Sequence, residues 1–260
     1  MNHEWTNTLR KLFFSGSFVA PRGKETMELE QHTVTVPMRY CVLTVPERNL
    51  SYQFMAAEAF WILSGDDTVK GIAPWNKNIE RFSDNGETFF GAYGPKIVGQ
   101  LDYVVRKLIE DRDTRQAGLT IWRENPTQTK DVPCTIAIFA FIRNDRLNIS
   151  VFMRSSDVWL GLPYDVFNFS MLGHLICCRL HANGVVVSPG KLHLTAASSH
   201  LYADQWTAAQ ALLDVPLTTI QGETPEVLFK DEMELMWKLR VLRETKKADP
   251  LRWWEYKNAA

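Results

Sequence analysis

The residues best able to do chemistry lie in the second half of the chain. Cys134 stands in Asp131-Val132-Pro133-Cys134-Thr135, where a polar loop gives way to an apolar strand. Taken alone it reads first as a buried structural cysteine, although a thiol there can act as a nucleophile once ionised. Arg154-Ser155-Ser156-Asp157 offers either a guanidinium fork for an anion or a turn closed by a local salt bridge. Asp165 follows Pro163-Tyr164 and precedes an apolar run, the place of an N-terminal helix cap. His200, in Ser198-Ser199-His200-Leu201-Tyr202, reads on its own as a surface or capping histidine. No GxGxxG, Walker, GxSxG, HExxH or paired-cysteine zinc pattern is present, which excludes the commonest motif-defined chemistries.

Periodicity predicts the elements that must hold these side chains. Residues 30–46 alternate and are β-branched, reading as strand interrupted by Pro37. Residues 50–63 have helical apolar spacing and stop at Ser64-Gly65-Asp66. Residues 98–111 read as helix, and 117–122, 135–142 and 147–153 as strands, the last two joined by the turn at 143–146. An apolar helix is expected over 164–182 and a charged amphipathic one over 226–244. Strands and helices without regular βαβ alternation argue for an α+β fold, a mixed sheet flanked by helices. With no repeat and no linker-like tract, residues 1–260 read as a single domain.

Bulk properties narrow the partners. The 260 residues carry a formal charge of -1 with 23% charged side chains, so no basic surplus points to nucleic acid. A few local arginines can still bind one small phosphate. No apolar run reaches the roughly 18–20 residues that span a bilayer, and the opening MNHEWTNTLRKLFF lacks a signal-peptide core. The cysteines are Cys41, Cys134 and the adjacent Cys177 and Cys178, a spacing that suits neither a disulfide framework nor a metal site. A reduced, cytoplasmic protein without metal or membrane is expected, in the host cytoplasm if the source is viral.

Order and spacing join these separate signals. Pro133-Cys134, then Arg154-Ser155-Ser156-Asp157 and Gly161-Leu162-Pro163-Tyr164-Asp165, resembles the catalytic core of the thymidylate synthase superfamily, with its Pro-Cys, Arg-Ser-x-Asp and Gly-x-Pro-Phe-Asn. Glu58-Ala59-Phe60-Trp61-Ile62-Leu63-Ser64-Gly65-Asp66 is similar to the family's Glu-Leu-Leu-Trp-Phe-Leu-x-Gly-Asp helix. Gly91-Ala92-Tyr93-Gly94, Arg22-Gly23 and His200-Leu201-Tyr202 are similar to its Pro-Val-Tyr-Gly, phosphate-loop and sugar-binding segments. The resemblance runs from about residue 20 to 206, leaving a divergent tail. It implies that Cys134 adds to carbon 6 of a pyrimidine, turning carbon 5 into a nucleophile for the one-carbon unit of 5,10-methylenetetrahydrofolate. Glu58 and Tyr93 would manage protons, and Arg154 would favour the thiolate. Arg22, Arg154 and Ser155 would bind the phosphate, joined by Arg115 from the partner of a sheet-to-sheet homodimer. Asp157 and Gly161 would hold the folate, and His200 and Tyr202 the sugar. Gln116 replaces the second of two arginines usual there, a loss that Arg112 could offset.

The most informative departure is Asp165 at the position of the family's base-reading Asn. Cytosine presents an acceptor at N3 and a donor at N4, the reverse of uracil, so a buried carboxyl points to a cytidine nucleotide. Asp165 and Thr135 are both shared with the phage deoxycytidylate hydroxymethylases, which the chain resembles most. The expected activity is 5-hydroxymethylation of dCMP or CMP, with water capturing an exocyclic methylene on carbon 5. Ile79 and Phe82, with Trp75 slightly early, stand near the place of the tryptophan that synthases set beside the folate. The terminus at 255–260 is more polar than an apolar closing tail, and both features favour hydration. Competing expectations are a dCMP methyltransferase, a dUMP-specific enzyme, a non-catalytic nucleotide-binding relative, and a cysteine hydrolase built on Cys134 and His200.

Overall fold

Alternation builds the sheet. In β4 (Thr135–Arg143) Ile138, Ala140 and Ile142 are buried, and in β5 (Arg146–Asp157) Leu147, Ile149, Val151 and Met153 are. Each strand thus gives one face to the core. With β1 (Ser17–Val19), β2 (Thr26–Pro37), β3 (Gly118–Thr120) and β6 (Ser188–Tyr202), they form one sheet in the order β1-β2-β6-β5-β4-β3. All neighbours are antiparallel except β5 and β6, which run parallel. A parallel pair needs a crossover, and helix α5 (Leu162–Ala182) supplies it. The computed structural model describes residues 1–214 and 224–245.

The remaining helices are α1 (Asn2–Ser15), α2 (Tyr52–Leu63), α3 (Val69–Ile72), α4 (Gly94–Glu110), α6 (Trp206–Leu213) and α7 (Glu232–Glu244). Helix α5 is buried on nearly every side, as its run of apolar residues requires. Gly173 lets it approach closely, since a Cβ there would collide with the Met38 thioether. Helix α2 begins where the Ser51 hydroxyl accepts the Phe54 N–H. It ends before Gly65, whose φ of 75° suits a residue without a side chain. Arg179 ties three helices together, donating twice to Glu232 of α7 and once to Asp102 of α4.

The expected α+β architecture stands, as a mixed sheet flanked by helices, with several boundaries corrected. The strand expected over 117–122 contracts to Gly118–Thr120, because Ile121 and Trp122 both donate to the Ile136 carbonyl and break the regular ladder. The helix expected from 226 starts at Glu232, where the Asp231 carboxyl caps the Glu234 N–H. Helices α1 and α6 and the long strand β6 went unpredicted. The polar terminus at 255–260 lies outside the described residues. Among the described residues no helix is long and apolar enough to cross a membrane.

His174 on α5 is buried, packs edge-on against Phe229 at 5.1 Å, and has its pKa lowered to about 4 by burial. An unfolded imidazole titrates near 6.5, so between those values the unfolded chain takes the proton first and is favoured. Stability should therefore be unaffected by this residue above pH 6.5 and fall between 6.5 and 4, by on the order of 3 kcal/mol in all. Urea titrations of the wild type and of His174→Phe at pH 7 and pH 4.5 check this: the variant should lose less stability on acidification.

Candidate active site

Sheet register gathers the candidate residues at one end of the sheet. Thr26 pairs with Tyr202, Asp157 with His200, and Thr135 with Met153. The starts of β2 and β4 and the ends of β5 and β6 therefore meet there, bringing Cys134, Arg154, Ser155, Asp157, His200 and Tyr202 together. Helix α5 leaves the same end, its first turn carrying Asp165. Helix α4 is fastened there too, since the Thr135 N–H donates to the Tyr93 phenol oxygen at 3.2 Å. Helix α2 joins through Asn168, whose Nδ2 donates to Glu58 Oε2 at 2.7 Å. Helix α1 braces the turn after β5: Trp5 Nε1 donates to the Val158 carbonyl at 2.7 Å, and its ring lies 5.3 Å from that of Trp159.

The Cys134 sulfur accepts from the Ser155 hydroxyl at 3.7 Å. Arg154 spans the loop, donating to the Pro133 and Val132 carbonyls and the Ser155 hydroxyl, each at 3.0 Å. Arg154 lowers the Cys134 thiol, the direction expected of it, but other causes prevail. Burial pushes the Cys134 thiol up and outweighs the lowering by Arg154, while Asp165 and Asp131 push it further up. The Cys134 thiol therefore rests protonated, and any attack by it would require ionisation. Tyr93 is likewise neutral, its phenol raised by burial, then by Asp165 and Cys134.

Carboxyls form the second half of the site. Glu58 is raised by burial to about 7, the Asn168 hydrogen bond working against the rise. Asp165 is held well above the usual carboxylate range by burial, then by Glu58 and Asp157. Asp157 is also raised by burial, and its Oδ1 accepts the Trp159 and Leu160 N–H groups at 2.9 and 2.8 Å. Carboxyls that raise one another resist joint ionisation, and Asp165 feels both Glu58 and Asp157. Gly161 sits between two of them: an added Cβ would lie 3.3 Å from the Asp157 carbonyl and 3.5 Å from Asp165 Oδ2. Arg48, unforeseen from sequence, is buried beside this group. Its Nε donates to the Trp159 carbonyl at 2.6 Å, and its guanidinium lies over the Trp159 and Tyr164 rings.

The remaining candidates divide. His200 and Tyr202 stack edge to face at 5.0 Å, and Lys24 lies over the Tyr202 ring at 5.5 Å. Arg22 is exposed on a 3-10 turn just before β2, at a φ of 54°, near the same end of the sheet. Arg115 is exposed toward the opposite end. Its segment is fastened to the β4–β5 turn by Arg112 to Asp145 at 2.7 Å and by Arg143 to the Asp113 carbonyl at 3.2 Å. Arg115 therefore does not join the Cys134 of its own chain, and Arg112 is already paired. Trp75 is fastened to α7: its Nε1 donates to the Arg243 carbonyl at 2.8 Å, with that guanidinium 4.8 Å from its ring. Ile79 packs on the core and Phe82 is exposed beneath Arg81.

This arrangement can deliver a thiol to an electrophilic ring carbon, present a neutral carboxyl to a base edge, and exchange protons through Glu58. Among the described residues no cluster of His, Cys, Asp and Glu could hold a metal ion. A family model described as thymidylate synthase matches residues 3–239, taking in α1 and most of α7. A deoxyuridylate hydroxymethyltransferase of Bacillus phage SP01 is 29% identical over 227 residues, covering 78% of this chain and 57% of that protein. One of Pseudomonas phage M6 is 29% identical over 231 residues, covering 84% of this chain and 64% of that protein. A thymidylate synthase of Pseudomonas fluorescens is 27% identical over 184 residues, covering 59% of this chain and 65% of that protein. The chain thus spans less than two thirds of the length of each of these relatives.

Proposed function

Because the chain belongs to the thymidylate synthase family, we propose that it transfers a one-carbon unit to carbon 5 of a pyrimidine nucleoside monophosphate. Cys134 adds to carbon 6, Glu58 and Tyr93 move protons, and Arg154, Ser155 and Arg22 hold the phosphate. His200 and Tyr202 bind the sugar. The cosubstrate is 5,10-methylenetetrahydrofolate, which supplies the electrophilic carbon when bound. Asp157 fits its pterin: one oxygen is fixed by two backbone N–H groups, so the carboxyl is preset to accept from a ligand. Gly161 keeps the space beside it clear.

The base is cytosine, giving a 5-hydroxymethyl product from dCMP or CMP. The supporting observation is Asp165, a half-buried carboxyl pushed toward its neutral form by desolvation and by Glu58 and Asp157. Its O–H can donate to the basic N3 of cytosine while its carbonyl accepts from the N4 amino group. Uracil has no basic N3, so it cannot take the proton and turn the contact into a charge-assisted pair. Water capture is the reading favoured by Trp75 being tied to α7 through the Arg243 carbonyl. The homodimer reading is supported by the apolar outer sheet face of Phe139, Phe141 and Phe152, and by Arg115 lying remote from its own site.

A second reading follows from the phage relatives, both named deoxyuridylate hydroxymethyltransferases. A neutral carboxyl can also turn its O–H toward uracil O4. Parallel incubations with methylenetetrahydrofolate and dCMP, CMP or dUMP separate the two. Product mass identifies base and modification, and absorbance reports any dihydrofolate. Hydroxymethyl product from a cytidine nucleotide without dihydrofolate is expected. Asp165→Asn should then move the cytosine-to-uracil ratio of kcat/KM toward uracil by about 1–3 kcal/mol, roughly 5- to 150-fold. An unchanged base preference in that variant would remove Asp165 as the reader of the base.

A further inference from the structure

Asn168 lies one turn beyond Asp165 on α5, on the same face of the helix. It is 4% exposed. One end of its amide is committed, Nδ2 donating to Glu58 Oε2 at 2.7 Å. The other end is open: Oδ1 is buried and has no hydrogen-bond partner among the described residues. A carboxylate neighbour dictates this orientation, because a flipped amide would set oxygen against oxygen. Folded proteins rarely leave a buried acceptor unpaired unless something fills the place during function. A helix otherwise lined with Val166, Phe167 and Phe169 could bury an apolar side chain here with better packing.

We propose that Asn168 is a positioning residue for water capture. Its amide nitrogen fixes Glu58, and its amide oxygen accepts a hydrogen bond from the water that attacks the exocyclic methylene on carbon 5. The inference rests on the hydroxymethyl reading of the site. In the step, the water oxygen bonds to the methylene carbon and one water proton passes to Glu58. The methylene π pair moves into the ring, and re-forming the C5=C6 bond expels the Cys134 thiolate from carbon 6. One water is consumed and one thiolate released, with no change of oxidation state and no further reactant.

Glu58 is suited to that proton because its carboxyl titrates near neutrality. The groups facing it are Asn168, Asp165 and Tyr164 of α5. Behind them, Tyr93 and Cys134 face Asp165, and Arg48 faces Tyr164. Asn168 opposes the rise caused by burial, so its removal should make Glu58 a carboxyl that ionises at higher pH.

The test is Asn168→Ala in the full-length protein, supplied with methylenetetrahydrofolate, dCMP and 2-mercaptoethanol, a thiol that competes with water for the methylene. Hydroxymethyl and thioether nucleotides are separated by mass across a pH series. We expect kcat for hydroxymethyl product to fall by about 10²-fold, the cost of angstrom-scale misplacement. The nucleotide KM should stay within about twofold, the thioether share should rise, and the acidic limb of the pH profile should move to higher pH. Asn168→Ser, which keeps an oxygen acceptor, should recover part of the product ratio and carries the test if the alanine variant does not fold. An alanine variant with wild-type product ratio and pH limb overturns the inference while leaving the activity intact. A wild-type protein that forms methyl product, or none from any nucleotide, overturns the hydroxymethyl reading itself and the water-holding role with it.

Discussion

Replacing Cys134 by alanine is expected to lower kcat by about 10⁴-fold or more, because the proposed reaction has no other route to activate carbon 5. The loss should appear without loss of folding. Cys134 is only partly buried, and its sulfur accepts a long hydrogen bond from Ser155 at 3.7 Å. Nucleotide affinity should largely persist, since of the groups proposed to hold phosphate and sugar only Ser155 touches the thiol, and by a long hydrogen bond. Turnover and calorimetric binding of dCMP to the same variant check both halves. A variant that keeps more than a few per cent of wild-type kcat would remove the covalent mechanism, and with it the cysteine's role. The same variant also tests assembly. Mixed with Arg115→Glu, it should regain activity if each site takes Cys134 from one subunit and Arg115 from the other. The hybrid then contains one intact site. No recovery after co-refolding would place both residues in one chain's site, against the separation described above.

What could be foreseen depended on whether a signal is local. Helix α2 and the β4–β5 hairpin announce themselves through apolar spacing and a turn, and Gly65 marks a helix end that only backbone freedom explains. Strand β6 escaped because it opens on Ser188-Pro189-Gly190 and carries Ala196-Ala197-Ser198-Ser199 in its middle. Those residues have little strand propensity, and the strand exists because β2 and β5 flank it. Helix α1 was legible in principle: Trp5, Leu9 and Leu12 are spaced for one face and all are fully buried, although the surrounding charges masked them. In the site, residue types and order named the residues that converge around Cys134, Asp157 and Asp165. Their protonation was not legible. Arg154 beside Cys134 suggests a thiolate, yet burial and two acidic neighbours outweigh one cation. Arg48 and Asn168 were missed for a related reason, because their roles come from tertiary contacts with Trp159 and Glu58.

Glu58 should show the second large effect, and it should appear as two opposed changes. Its carboxyl titrates at about 7 rather than the usual 4.5 because it is buried, and proton acceptance requires the ionised form. The wild type should therefore lose kcat/KM as pH falls through about 7, with a limb that follows one proton. Glu58→Gln removes the base but keeps a partner for Asn168, so kcat should drop by about 10²–10⁴-fold and the limb should vanish. Stability should move the other way. The folded state holds the Glu58 proton more tightly than the unfolded chain, so the native protein loses stability as pH rises from 4.5 to about 7. The full loss, on the order of 3 kcal/mol, is present above that range. Glutamine carries no such ionisation, so Glu58→Gln should be more stable than the wild type at pH 8 and nearly equal to it at pH 4.5. Urea unfolding at the two pH values, set beside the kinetic profile, decides the matter. A variant that loses activity and stability together at pH 8 would make Glu58 a structural anchor, whereas opposed changes would mean that the fold keeps a destabilising buried base because the reaction uses it.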